Sequence, residues 1–473
     1  MPRTAADLDP SAIFSRFDFG GEQAVVAAVS GGGDSLALLI LLRDYFSTRE
    51  VAPRLIAVTV DHGLRPESAD EARAVARLCR EHGIEHRIMR WEGEKPGTGI
   101  PAAAREARYR LLTEAAGEAG ARIIFTGHTR DDQIETFLMR EVRGEGRGLA
   151  GMASVTLLGG QFWLVRPLLN VGRQDLRDFL NKRQIEWFDD PTNENPAFER
   201  PRVRAARGAN PSLHARPSRL AARAPQSKGA RHEENEALLN KIASMAATRQ
   251  AEGKAVAGFL AGSVSIEAGD VASIEAEALA GAGQDVAALA LSVIVAAIGG
   301  RSFLSGVAER ERLHLHLKGQ GPARLALSRT VIQRGARRHL IWREARGLPG
   351  LDLKPGERGI WDGRFEVANH LPDGEILRIA PPSAAEYEQF SREKGIEREK
   401  FRRAAVLAGP AVYMRGRLMD IPALSGGRFL PEGVALKRRI ALYDHFLPGH
   451  DIMLANAVRR LFGLADYPAP PLF

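Results

Sequence analysis

Residues 24–42 read AVVAAVSGGGDSLALLILL. An apolar run of strand length, residues 23–29, is followed by apolar residues at helical spacing over 35–46. Between them lie Ser30, Gly31, Gly32, Gly33, Asp34 and Ser35. A turn uses one glycine or two; three let the backbone approach a partner with no Cβ in the way. The unpaired N–H groups and the dipole of a helix start make a seat for an anion, a phosphate above all. Ser30 and Ser35 add hydroxyls. Asp34 would repel a bare phosphate, and it makes sense where it holds Mg2+ that bridges phosphates. No lysine follows, so this is not G-x-x-x-x-G-K-[ST], and the spacing is not G-x-G-x-x-G. A tight strand–helix turn capped by Ser30 or Ser35 is the plain alternative. It leaves the third glycine and Asp34 without a purpose.

Outward from the loop, strand-like and helix-like runs alternate. Residues 54–60 (RLIAVTV), 85–91 and 121–126 (ARIIFT) read as strands, and 101–118, 131–142 and 172–184 as helices. Ser68-Ala69-Asp70-Glu71 has the form of a capping box that opens a helix to about His82. Such alternation predicts an α/β domain with a parallel sheet covered by helices on both faces. In an open sheet of this kind ligands sit beyond the carboxyl ends of the strands, so the loops at Ser30 and Gly127 should share one crevice.

The rest of the chain has a different rhythm. Residues 204–232, rich in Arg, Ala, Pro and Ser, show no periodicity and read as an exposed linker or a poorly ordered basic segment. Residues 233–345 are read as a mainly helical domain, with 233–316 alanine-rich. Residues 346–473 read as a small α+β domain, and 1–203 as the nucleotide domain. The longest apolar run, residues 286–300, falls short of the ~20 a membrane span needs and reads as a buried helix. With 66 Lys and Arg against 58 Asp and Glu, the net charge of +8 favours a polyanionic partner such as nucleic acid. Cys79 is the single cysteine; one thiol allows no internal disulfide and no thiolate cluster, and it fits a reducing cytoplasm. It lies mid-helix on an apolar face and reads as a small core residue. No secretory signal is visible at the start, so a cytoplasmic protein with no membrane partner is expected.

Candidate chemistry gathers after two strands. Asp61 and His62 follow the second strand, where a plain turn role with Gly63 is the competing reading. His128 precedes a helix whose first turns hold Asp131, Asp132 and Glu135; i, i+3 and i, i+4 spacing puts these carboxylates on one side. They suit an ammonium substrate, able to bind it and to take its proton. The competing reading is helix capping by Thr129 and Asp132. Arg105 and Arg108 lie one turn apart beside Tyr109, a phosphate-binding pair or a solvated face.

The string S-G-G-x-D-S resembles the PP-loop of the ATP pyrophosphatases. That resemblance implies an adenine nucleotide α-hydrolase-like fold and ATP cleaved between the α and β phosphates, with AMP loaded onto an oxygen and displaced by a nucleophile. Sulfur-transferring relatives use cysteine pairs, so one cysteine favours a nitrogen nucleophile. Further segments follow in order: VDHGLRPES (60–68), AAAREARYRLL (102–112), GHTRDDQIETFLMR (127–140), RGLAGM (147–152), RPLL (166–169) and DDPTNENPAFERPRVR (189–204). Together they resemble the tRNA(Ile)-lysidine synthetases over roughly the first 205 residues.

The resemblance implies a ligase that uses ATP and Mg2+. It would adenylate C2 of the wobble cytidine in a tRNA(Ile) with a CAU anticodon and let free L-lysine displace AMP. It places adenine near residues 58–62, metal on Asp34, and catalysis on His128, Asp132, Glu135, Arg105 or Arg108, and Arg204. Thr129 stands where the family often has a second histidine, and Pro201 where it has asparagine. The accessory domains are expected to bind the tRNA body, so deleting residues 346–473 should weaken tRNA binding at moderate salt. A homodimer is compatible with the sequence. Another PP-loop N-type ligase acting on a small molecule, a tRNA thiolase, and a basic RNA-binding protein with an inactive nucleotide site are the competing readings.

Overall fold

The computed structural model describes residues 8–65, 67–144, 146–189, 199–208, 228–372 and 374–472. By its internal contacts the chain forms two compact units. The first is residues 1–250 with 448–450 and 468–473; the second is 251–447 with 451–467.

The first unit is built on β1 (Ala24–Ala28), every residue of which is buried. After it come α2 (Gly33–Ser47), β2 (Arg54–Asp61), α3 (Ser68–Glu81), β3 (Glu85–Arg90), α4 (Ile100–Glu118), β4 (Ile123–Thr126) and α5 (Arg130–Arg143). A short α1 (Pro10–Phe14) precedes β1. Then follow β5 (Val155–Leu158), β6 (Phe162–Val165), α6 (Arg173–Lys182), α7 (Glu199–Gly208) and the long α8 (Lys228–Ser263). The strand order is β5-β6-β4-β1-β2-β3. From β6 to β3 every neighbour is parallel, and β5 is antiparallel to β6. Helix α2 is apolar all round because it is covered all round: Leu36–Leu42 are at most 2 % exposed. Each such side chain stabilises the fold by roughly 1.5–3 kcal/mol relative to exposure.

Sequence periodicity located the four central strands and their helices. The β5–β6 hairpin was not expected. Its strands have four residues each, too short for a clear period, and the Gly159-Gly160 turn, both φ positive, is its one sequence signal. Residues 188–204 read from the sequence as a polar loop; 190–198 lie outside the described residues, the chain is helical from Glu199, and α7 and α8 take both ends of the expected linker. Residues 209–227 lie outside the described residues. The Ser68–Glu71 capping box does not form. Ser68 Oγ instead donates to Asp61 Oδ1 at 2.7 Å, and Glu71 pairs with Arg65. Cys79 is fully buried, as expected, and burial pushes its thiol up to about 11.

In the second unit, β7 (Val264–Glu267) and β8 (Val271–Glu275) interrupt a region read as helical. Their turn, Gly269-Asp270, has both φ positive. α9 (Ala276–Gly281), α10 (Gln284–Gly299) and α11 (Val307–Leu317) follow, then β9 (Arg324–Leu327), β10 (Thr330–Gln333) and β11 (Arg338–Arg343). The sheet order is β7-β8-β11-β10-β9, antiparallel throughout. α10 is the buried apolar helix; among the described residues no helix is long and apolar enough to cross a membrane. Two smaller antiparallel sheets complete the unit. One joins β12 (Leu351–Leu353), β15 (Leu377–Ala380), β16 (Ala411–Met414) and β17 (Arg417–Asp420). The other joins β13 (Arg358–Trp361), β14 (Phe365–Asn369) and β18 (Val434–Arg438).

Candidate active site

β1 and β4 are parallel neighbours, so the loops at their carboxyl ends start side by side. Gly127 makes the approach: a Cβ there would come within 2.8 Å of the Asp34 carbonyl oxygen. This close contact brings the helix that carries Asp132 and Glu135 against the glycine loop.

The loop itself is held from within. Ser35 Oγ donates to the Gly32 carbonyl at 2.9 Å and accepts from Ser30 N–H at 3.1 Å. Gly31 has φ +86, which excludes most side chains, and a Cβ there would meet the Phe188 ring at 3.2 Å. Phe188 N–H also donates to the Gly31 carbonyl at 3.0 Å. A Cβ on Gly33 would lie 3.4 Å from the Trp187 ring. Two of the three glycines therefore fit a pair of aromatic residues far along the chain, a packing role that the sequence reading had assigned wholly to a ligand.

Arg173 joins the two loops. Its Nε is 3.1 Å from Asp34 Oδ2, its Nη2 3.1 Å from Asp132 Oδ1 and its Nη1 3.6 Å from Glu135 Oε1. Its own N–H donates to Asp131 Oδ2 at 2.8 Å. Burial works against this guanidinium, but the charges of Asp132, Asp34 and Glu135 outweigh it and raise its pKa. Asp34 moves the other way. Burial pushes its carboxyl up to about 6, although Arg173 pulls it down.

Asp132 also caps its helix. Its Oδ2 accepts from the N–H and Oγ1 of Thr129, both at 2.9 Å, which completes a capping box. So the capping reading holds for Oδ2, while Oδ1 faces Arg173. Glu135, 2 % exposed, receives Arg204 in a fork, Nε–Oε1 2.9 Å and Nη2–Oε2 3.1 Å. Arg200 donates to Thr136 Oγ1 at 3.0 Å and stands 3.8 Å from both Asp132 and Glu135. Arg202 is exposed.

His128 sits among cations. Burial first, then Arg166, Arg108, Arg200 and Arg105, hold its pKa well below the usual imidazole value, so it is neutral. It shares a 2.9 Å hydrogen bond, Nδ1 to Thr126 Oγ1. Arg166 is 2 % exposed and donates to the Ala153 carbonyl and to Thr156 Oγ1, both at 2.8 Å. Burial lowers the pKa of Arg108, and its charge reaches His62 as well as His128. Arg105 is exposed, its guanidinium over the Tyr109 ring at 4.9 Å. At the end of β2, Asp61 Oδ1 accepts from Ser68 Oγ and from Gly63 N–H at 2.9 Å. Burial opposes its charge, but those bonds prevail and its pKa is lowered. His62 Nδ1 is buried with no hydrogen-bond partner, and burial lowers the pKa of the ring.

The structure thus brings Asp34, Asp132, Glu135 and Arg204 together, sets His128 and Arg108 near one another, and leaves Arg105 in solvent. Arg173 and Arg166 were missed. Arg173 had one signal: a cation as the first residue of a helix faces the positive end of the dipole, which needs a compensating reason.

Known proteins are similar to this chain. A family described as a PP-loop domain matches residues 11–207. The tRNA(Ile)-lysidine synthase of Brucella canis is 44 % identical over 466 residues, covering 97 % of this chain and 98 % of that protein. Those of Brucella suis biovar 1 and Brucella ovis match to the same extent.

The chain belongs to the tRNA(Ile)-lysidine synthase family.

It is accordingly an ATP-using ligase with a PP-loop domain, and the match spans both units, not the loop alone. Among solved structures, the U34-tRNA thiolase NcsA from Methanococcus maripaludis, with its [4Fe-4S] cluster, aligns at a TM-score of 0.39 and 18 % identity. The alignment covers 50 % of this chain and 78 % of that one, a likeness that carries no argument here. For this lysidine synthase family member the site at Asp34, Asp132 and Glu135 is the place to look for the chemistry.

Proposed function

We propose that this member of the tRNA(Ile)-lysidine synthase family joins L-lysine to C2 of the wobble cytidine of a tRNA(Ile) with a CAU anticodon. In the first half-reaction the C2 oxygen attacks the α-phosphorus of ATP and pyrophosphate leaves. In the second, the ε-amine of lysine attacks C2, AMP departs with the oxygen, and the amine gives up a proton. The observation that carries the reading is the convergence of Asp34, Asp132 and Glu135 on one guanidinium, each within 3.1 to 3.6 Å. Carboxylates from the glycine loop and from the helix after β4 therefore face one space, as a nucleotide step and an amine step at one site require.

The amides at the start of α2 and the hydroxyl of Ser30 would seat the polyphosphate. Asp34 fits Mg2+: a single partly exposed carboxylate beside a phosphate seat is a usual way to hold it. When bound there, the ion would neutralise charge that builds on the departing pyrophosphate. Asp132 and Glu135 would take the lysine ammonium and accept its proton as it attacks. Arg204 orients Glu135 by its fork of hydrogen bonds. Neutral His128, ringed by Arg166, Arg108 and Arg200, would bind the base and leave those cations for its phosphates. Asp61 and His62 would border the adenine. The exposed cations of residues 233–473 would hold the tRNA body.

The buried thiol of Cys79 disfavours sulfur transfer. Incubation with labelled lysine, ATP-Mg and unmodified tRNA(Ile) of anticodon CAU tests the reading. Pyrophosphate should appear only with the RNA, and label should enter the RNA only when all three are present. Asp34→Ala should abolish pyrophosphate release. Release without RNA would favour a small-molecule ligase instead.

A further inference from the structure

Arg173 is bound by the very oxygens that the reaction needs. It spans Asp34 on one side and Asp132 with Glu135 on the other. Arg204 already serves both oxygens of Glu135, and Arg200 donates to Thr136. Neutralising Asp34 and Asp132 Oδ1 therefore falls chiefly to Arg173. Its backbone is fixed through Asp131, but its side chain is one-fifth exposed and long enough to swing. As the first residue of α6 it opposes the helix dipole, so the carboxylates, not the helix, hold it in place.

A guanidinium and a lysine ammonium are both cationic donors and compete for Asp132 Oδ1, which Arg173 holds at 3.1 Å with Arg200 already 3.8 Å away. A divalent cation at Asp34 would repel the guanidinium and remove one of its anchors. We propose that Arg173 is a stand-in cation that fills the amine subsite at Asp132 and Glu135 until metal-bound nucleotide takes Asp34, so that lysine binds after ATP. The proposal rests on the lysine-ligase reading above and adds the order of binding and the residue that sets it. It explains why one cation touches carboxylates of both half-reactions. Lysine held early would sit beside an unactivated base, and a closed subsite prevents that.

Equilibrium dialysis of labelled lysine against the full chain reads this directly, with and without Mg2+ plus an ATP analogue bridged by methylene between the α and β phosphates. For the unaltered protein, affinity for lysine should rise at least tenfold with the nucleotide. In Arg173→Gln the nucleotide-free affinity should rise to about that of the nucleotide-bound protein, and the dependence should vanish. Arg173→Lys, which keeps a cation there, should retain it. Lysine affinity independent of nucleotide in the unaltered protein would overturn the proposal without any variant. So would an Arg173→Gln protein that melts normally and keeps the full dependence, or binds no lysine at all. If the unaltered protein takes up no lysine even with tRNA and nucleotide, the ligase reading itself fails.

Discussion

Each unit holds a cluster of arginine and aspartate, and the two are built for opposite purposes. In the second unit Asp362 is completely buried and binds Arg343 at 2.8 and 2.9 Å and Arg364 at 2.7 Å, with Arg329 also on it. Both Arg343 and Arg364 are 1 % exposed. Burial pulls the Arg364 guanidinium down to about 10, with Asp362 and Asp270 acting against it. Carbonyl oxygens of Arg329, Ala408 and Ala297 take donors of Arg343, Arg364 and Arg438. Asp362, Arg343 and Arg364 are thus shut from solvent and paired to one another, and Arg329, 38 % exposed, covers them from outside. The cluster fastens the β13–β14 turn to β11, and Arg438 of β18 to α10. In the first unit Arg173 and Asp34 are 21 % and 24 % exposed, and the longest link, to Glu135, is 3.6 Å. Here the pairing is reachable by solvent, as the proposed exchange of its members for a metal or an amine requires. The same pair of functional groups makes a rivet where water is excluded and a site where it is not.

Charge removal separates the two most strongly. Asp362 has φ +52, a conformation that asparagine tolerates, so Asp362→Asn changes charge with little change of backbone. Buried Arg343 would then lose its carboxylate and Arg364 would keep only Asp270, at 3.9 Å, at a cost of about 3–5 kcal/mol. Chemical denaturation should show that loss. Asp34→Asn should not lower the unfolding midpoint, because burial already disfavours the ionised form it removes, while pyrophosphate release disappears. Equal destabilisation by both substitutions would break the comparison.

A smaller effect follows from pH. The Asp34 carboxyl titrates at about 6 in the folded chain against 3.8 as an ordinary carboxyl. Between those values the folded state holds the extra proton, so this residue's contribution to stability falls as pH rises through the window and is level above it. Activity runs the other way. The metal site needs the carboxylate, so kcat/KM for ATP-Mg should rise about tenfold per pH unit up to near 6 and flatten above. A profile flat from pH 5 to 8 would contradict the assignment. In Arg173→Gln the rising limb should move to higher pH, since a cation that favours the carboxylate is gone.

Much of the first unit was legible because its signals are local. The strand–glycine–helix order at 24–42, the helix period at 131–142 and the i, i+3 spacing of Asp132 and Glu135 each lie within one element. A role for Arg204 came from the family resemblance, but its pairing with Glu135, 69 residues away, was not legible. Arg173 was not legible: its partners lie 139 and 41 residues away, and no period or motif links them. The same holds for Trp187 and Phe188 on the glycine loop. Ser68 shows how a local motif misleads, since a tertiary partner, Asp61, outcompetes the capping geometry. In the second unit the alanine-rich stretch hid β7 and β8. Propensity favours helix there, but pairing with β11 decides the outcome.

The most direct test is a crystal structure of the full chain with Mg2+ and the methylene-bridged ATP analogue. The account predicts polyphosphate against residues 30–35, the metal on the Asp34 carboxylate, and Arg173 drawn away from Asp34. Polyphosphate bound elsewhere, or an Asp34–Arg173 pair still closed beside bound metal and nucleotide, would contradict it.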